Sequence, residues 1–141
     1  MQLTKHTDFA FRILIYLAVL DKDSLTTISQ LTQSFDISKS HTMKIVNKLV
    51  HHGWVNAIRG KNGGIKLGIA ADQIKLDEVV RLMEQTLEPV NCHTPVCALN
   101  DVCQLKGVLW QAQHQYMAHL GQFTLKDILN EKTEEVVRFI Q

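Results

Sequence analysis

The first half of the chain alternates apolar and polar positions with a helical period. Phe9, Ile13, Tyr16, Leu17 and Leu20 recur at steps of mostly three or four, which predicts an amphipathic helix over residues 4–20 behind the cap Thr4. A second, shorter helix is predicted from about Thr26 to Ser34, burying Ile28 and Leu31, before "FDIS" breaks the pattern. Ser38 is a good cap for a third helix, "SKSHTMKIVNKLVHHG", where Thr42, Ile45, Val46 and Leu49 follow i, i+3, i+4, i+7 and turn inward. Ser40, His41, Lys44, Asn47, Lys48 and His51 are left on its outer face, and Gly53 ends it. Two short helices with a tight turn between them, the second polar and basic outside, form a helix-turn-helix. The plain alternative is a three-helix bundle whose lysines are merely solvated.

After Gly53 the period falls to two. "WVNAIRG" and "GIKLGI" predict two strands, with Val55 and Ala57 facing Ile65, Leu67 and Ile69, joined through "GKNGG". Such a hairpin is a wing, with Arg59, Gly60, Lys61 and Lys66 around its tip, where cations grip phosphates or enter a minor groove. The glycines do not form a nucleotide-binding loop, because the order is strand, loop, strand without a following helix N-terminus. The expected DNA contacts are Ser38, Lys39, Ser40, His41 and Lys44 on the helix and Arg59, Gly60 and Lys61 on the wing.

Beyond the wing, Ile74, Val79, Val80 and Met83 predict a fourth helix, stopped by about Pro89. From Val102 onward Leu105, Leu109, Ala112, Tyr116, Leu120 and Phe123 approximate a heptad seam. A helix of that kind wants a partner, and a two-fold dimer would set two recognition helices about one DNA turn apart. A last short helix is expected to start at Thr124, with Asp127 completing a capping-box-like pair. The fold class is therefore mostly α, a winged helix-turn-helix domain with a long C-terminal dimerisation helix. Its parts are the DNA-binding domain (1–72), a connecting helix and cysteine loop (73–101), the dimerisation helix (102–123), and a C-terminal helix and tail (124–141).

Composition narrows the function. A chain of 141 residues, 45% of them hydrophobic and only two of them proline, can bury one core and holds no low-complexity tract. No apolar run is long enough to span a membrane and "FRILIYLAVL" carries no cleavage site, so a soluble cytoplasmic protein is expected. The net charge is +1, but residues 1–70 hold nine Lys/Arg against four acids, a balance of +5, leaving −4 in the remainder. A polyanion is thus expected to meet the first half alone. The histidines are scattered and show neither triad nor HExxH spacing, so no enzyme is expected.

All three cysteines fall in "VNCHTPVCALNDVCQLK", spaced C-x4-C-x5-C. In a reducing cytosol such clustering suggests metal or redox chemistry rather than disulfides. Zinc would need a fourth ligand such as His93, and no C-x-x-C pair is present. An iron-sulfur cluster accepts more varied spacing, and three thiols packed as small apolar groups is the remaining reading.

"IRGKNGGIKLG" (58–68), "VNC" (90–92), the cysteine spacing, the "LTKHTDF" start and "TLKDIL" near the end together resemble the winged-helix iron-sulfur regulators. The likeness spans nearly the whole chain, and it is the combination of wing and cysteine spacing that is specific. The resemblance implies a homodimeric, DNA-binding repressor whose iron-sulfur cluster senses nitric oxide. It further implies Cys92, Cys97 and Cys103 as ligands, with a first-helix aspartate of the other subunit, here Asp8, as the fourth. Read on its own, Asp8 is a first-turn acid that suits the helix dipole and pairs with Arg12. A 4Fe-4S cluster is favoured by the resemblance, while a histidine ligand, His93 or His6, would suit a 2Fe-2S cluster.

Overall fold

The stripe on the first helix organises the whole core. A computed structural model describes residues 2–21 and 24–141, so Lys22 and Asp23, which enter the charge of the first half, lie outside the described residues. Helix α1 (Lys5–Val19) is capped by the Thr4 hydroxyl, and Ala10, Ile13, Leu14, Tyr16 and Leu17 are buried along it. They pack with Leu31, Ile45, Leu49, Val79 and Met83, each fully or almost fully buried. Every such aliphatic side chain contributes about 1.5–3 kcal/mol relative to leaving it in water.

Helix α2 (Ile28–Phe35) opens with a complete capping box: the Gln30 N–H donates to the Thr27 hydroxyl at 3.2 Å and the Thr27 N–H donates to Gln30 Oε1 at 2.8 Å. The break at "FDIS" is a tight turn. Asp36 takes the left-handed conformation (φ 51°), its N–H and that of Ile37 bond back to the Thr32 carbonyl, and Ile37 is buried beneath. Ser38 then caps α3 (Lys39–His51), whose inner face is Thr42, Ile45, Val46 and Leu49 as expected. Gly53 ends it at φ +88°, where its N–H reaches the Val50 carbonyl and the Trp54 N–H reaches that of Leu49. This double closure needs a left-handed residue, which glycine supplies without strain.

Strands β1 (Val55–Ile58) and β2 (Gly64–Leu67) pair antiparallel from Val55↔Leu67 to Ile58↔Gly64. Thr26 adds an antiparallel bridge on the other side of β2, exchanging two hydrogen bonds with Ile65 at 3.0 and 2.7 Å, and so ties the approach to α2 onto the wing. Val55 and Ile65 are buried, but Ala57, the partner of Ile65 in the register, is exposed, since it is on the β2 side that Thr26 and the approach to α2 lie against the hairpin.

Helix α4 (Leu76–Met83) stops earlier than Pro89, at Glu84, whose backbone is already extended. Helix α5 (Gln104–Leu120) follows the cysteine loop, and its own-chain contacts bury Gln113 and Met117. The element expected at Thr124 is different from the prediction. Asp127 does accept from the Thr124 N–H and hydroxyl, at 2.7 and 2.8 Å, and those donors hold its carboxyl below the usual range. Yet only a 3-10 turn, Lys126–Ile128, forms there. Leu76 donates to the Phe123 carbonyl and Leu125 to that of Ile74, so this stretch is held in a strand-like bridge with Leu125 wholly buried. Helix α6 (Glu131–Ile140) begins only afterwards, capped by Asn130, and lays Val137 against the core.

Candidate DNA-binding face and cysteine loop

The expected DNA-contacting residues fall on two neighbouring features, the outer face of α3 and the tip of the wing. Ser38, Lys39, Ser40 and Lys44 are exposed at the start of α3 and along it, with Asn47, Lys48 and His51 continuing the polar face. Arg59, Gly60 and Lys61 are exposed at the turn of the hairpin, where Gly60 has φ +116°, a value that disfavours any side chain. Among the described residues the ion pairs are Asp8 with Arg12, Asp77 with Arg81 and Glu134 with Arg138. None of them draws on Lys39, Lys44, Arg59 or Lys61, so the charge of this face is directed outward.

His41 behaves differently from its neighbours. Its ring is half-buried, stacked on His6 with centroids 5.3 Å apart, and the edge of Phe9 closes the pair. His6 Nδ1 and His41 Nε2 are 3.1 Å apart, a distance that requires a lone pair on one of them. Burial, with nearby Lys48 and His41, pulls His6 below its ordinary range, Glu84 acting in the opposite sense. The pair joins the first turn of α1 to the first turn of α3. The helical period places His41 on the outer face because that period is blind to a histidine on a neighbouring helix.

The cysteines lie on an irregular stretch between α4 and α5. Cys92 and Cys103 are half-buried, Cys97 is exposed, and all three thiols are free of disulfides. The loop is folded by its own backbone: Cys97 N–H reaches the Cys92 carbonyl, Asn100 N–H that of Cys97, and Val102 N–H that of Leu99, each at 3.1 Å. Asn91 anchors its start by accepting from the N–H groups of His93 and Thr94. Three thiols on one accessible loop suit an iron or zinc site in kind. Among the described residues of one chain, however, no three His, Cys, Asp or Glu side chains gather as a metal site. Within one chain the loop thus does not draw its three thiols together as a ligand set.

Asp8 sits in the first turn of α1 and forms a two-toothed pair with Arg12, at 3.1 Å to Nε and 2.8 Å to the terminal nitrogen. Its side chain is 46% exposed, so the pair is a surface one that another chain can reach. His93 is exposed on the loop and His6 is committed to His41. On α5, Leu105 and Val108 are 63% and 60% exposed and lie one helical step apart, with Ala112 also open to solvent. Leu109, Tyr116 and Leu120 of the heptad pattern are half-buried, and Leu109 and Tyr116 line a cavity of about 470 Å³ with Leu3, Leu87 and Pro89. The seam is thus split: part covers the chain's own core and part remains apolar and uncovered.

A helix-turn-helix with an outward basic face, a β-hairpin wing and a long helix beyond define a winged-helix transcription regulator. Residues 3–131 match the Rrf2 family, described as iron-dependent transcriptional regulators, and the chain belongs to that family. Regulators of this family bind DNA, are often dimeric and are generally not enzymes. CymR (YrzC), the global cysteine regulator of B. subtilis, is 26% identical, with a TM-score of 0.74 over 91% of this chain and 95% of that one. IscR of T. potens shares the fold at 18% identity, with a TM-score of 0.70 over 91% and 85% of the two chains. No helix among the described residues is long and apolar enough to cross a membrane.

Proposed function

We propose that this Rrf2-family regulator is a cytoplasmic, homodimeric repressor of the NsrR kind, which releases its DNA operator when nitric oxide reaches an iron-sulfur cluster. The observation that carries the reading is the loop of three disulfide-free thiols, Cys92, Cys97 and Cys103, placed between the helix that abuts the DNA-binding core and the helix with the uncovered apolar face. Those thiols would be three ligands, and Asp8 of the other subunit, surface-exposed on α1, the fourth. When bound, such a cluster supplies iron that reacts with nitric oxide, and 4Fe-4S fits the resemblance better than 2Fe-2S. The oxygen ligand is weaker for iron than thiolate, which leaves one position easier to displace. The division of labour at 1–72, 73–101, 102–123 and 124–141 belongs to the same proposal.

Anaerobic purification tests it: a brown protein with visible absorption, iron and acid-labile sulfide supports the reading, and a colourless one with stoichiometric zinc replaces it by a structural-metal regulator. DNA contact has its own test. Arg59→Ala is expected to weaken operator binding and to flatten the slope of log affinity against log salt by about 0.9 for the lost phosphate contact. Unchanged affinity and slope would remove Arg59 from the interface.

Asp8 separates a local role from a long-range one. If it served only its helix and Arg12, Asp8→Ala would cost a few tenths to about 1 kcal/mol and leave the cluster untouched. As a cross-subunit ligand, its loss alters the visible spectrum or shortens the cluster's lifetime in air and chelator, while the melting of the metal-free protein barely moves. An unchanged spectrum and lifetime would send the search to His93.

A further inference from the structure

Helix α4 ends in a knot of polar contacts that joins three parts of the molecule. Glu84, at its C-terminal cap, accepts through Oε1 from the Thr4 N–H at 2.8 Å, the Thr4 hydroxyl at 3.0 Å and the Thr7 hydroxyl at 2.5 Å. Thr4 is the cap of α1, and Thr7 is wholly buried. Two residues earlier the Leu82 carbonyl accepts from the Lys48 ammonium of α3 at 3.0 Å. Burial pushes the Glu84 carboxyl up, but the Thr7 and Thr4 donors outweigh it and hold it below the ordinary range, so the acceptor is a carboxylate. From Gln85 the chain runs on to Cys92, and Asp8 donates its N–H to the Thr4 carbonyl at 3.0 Å. The knot therefore lies where the stretch leading to the cysteine loop leaves the DNA-binding core.

We infer that Glu84 is a positioning residue that carries displacements of the cysteine loop to the DNA-reading helix, through Thr4 and Thr7 of α1 and, with Leu82, through Lys48 of α3. The inference rests on the DNA-binding reading of α3 and is independent of what the cysteines hold. Residues 82–84 are the last part of α4 before the loop, and they bond to both helices that frame the reading face. A carboxylate that accepts three hydrogen bonds follows a moved backbone only by taking its donors along or by giving them up. Either response changes the seat of α1 against α3, which His6 and His41 already bridge. Two discrete arrangements biased by a distant event are what a coupling free energy requires.

All three cysteines lie in the loop, so a thiol reagent perturbs that loop alone. The test uses the full chain, N-ethylmaleimide and a duplex selected by the native protein from random-sequence DNA. Alkylation is expected to change the native Kd by roughly 5- to 150-fold, and that of Glu84→Ala by no more than about twofold. Glu84→Gln keeps a carbonyl acceptor and should retain most of the response, whereas Thr7→Val should lose much of it. Should circular dichroism show Glu84→Ala unfolded, Thr7→Val decides the matter. An equal response in native protein and variants, or none in native protein that binds DNA, overturns the inference. Failure to select any duplex would overturn the DNA-binding reading with it, and a colourless native protein would sink only the cluster.

Discussion

Alanine at Cys92, Cys97 or Cys103 is expected to abolish the visible absorption and bound iron while leaving a folded dimer. The loop contributes little to the core: Cys97 is exposed, its neighbours Val96, Leu99 and Val102 are exposed, and the buried cluster is assembled from α1 to α4 with Leu125 and Val137. The apolar faces that drive folding are covered without any metal, unlike those of a zinc finger, where binding free energy is folding free energy. Absorption spectra, iron analysis and thermal melts of the three variants check this together. Full cluster content in one variant would exclude that cysteine as a ligand. Wholesale unfolding of all three would mean that the metal is structural.

Charge placed on the uncovered face of α5 should be nearly as severe. Leu105→Glu combined with Val108→Glu puts two carboxylates where the sequence pattern seeks a partner helix, and burying them unpaired costs several kcal/mol. Sedimentation should show a monomer. Because two reading helices on one rigid dimer bind two half-sites at high effective concentration, operator affinity should fall about 10²-fold or more. The monomer's own melting should change little, since neither side chain is buried within the chain. A dimer of native affinity from the double variant would place the interface elsewhere.

The helices were legible where apolar spacing alone defines them. Thr42, Ile45, Val46 and Leu49 point inward on α3, and Gly53 ends it with the hydrogen bonds its position promised. Long-range pairing left no such trace. Nothing in the local pattern announces that Thr26 will bridge Ile65, or that Leu125 will be drawn to Ile74 and so delay α6 to Glu131. Trp54 and Ile37 enter the core from turns, where no period marks them.

The candidate site divides in the same way. Exposure of Lys39, Lys44, Arg59 and Lys61 follows from helix and hairpin periodicity. The commitment of His41 to His6, and of Glu84 to Thr4 and Thr7, depends on helix packing that spacing cannot encode. Glu84 in particular reads in the sequence as one of ten acids in an acidic half, with Arg81 three residues before it as the obvious helical partner, yet Arg81 pairs with Asp77 instead. The cysteines were conspicuous from their clustering, but the ligand role proposed for them rests on resemblance. Spacing alone left zinc, a cluster and plain packing all open.

Nitric oxide titrated into the anaerobic, iron-loaded protein on a fluorescent operator duplex tests the central claim most directly. Loss of visible absorption and release of DNA should advance together with added nitric oxide, and metal-free protein should start and end at the low affinity. Operator binding that persists unchanged while the absorption disappears would contradict the account.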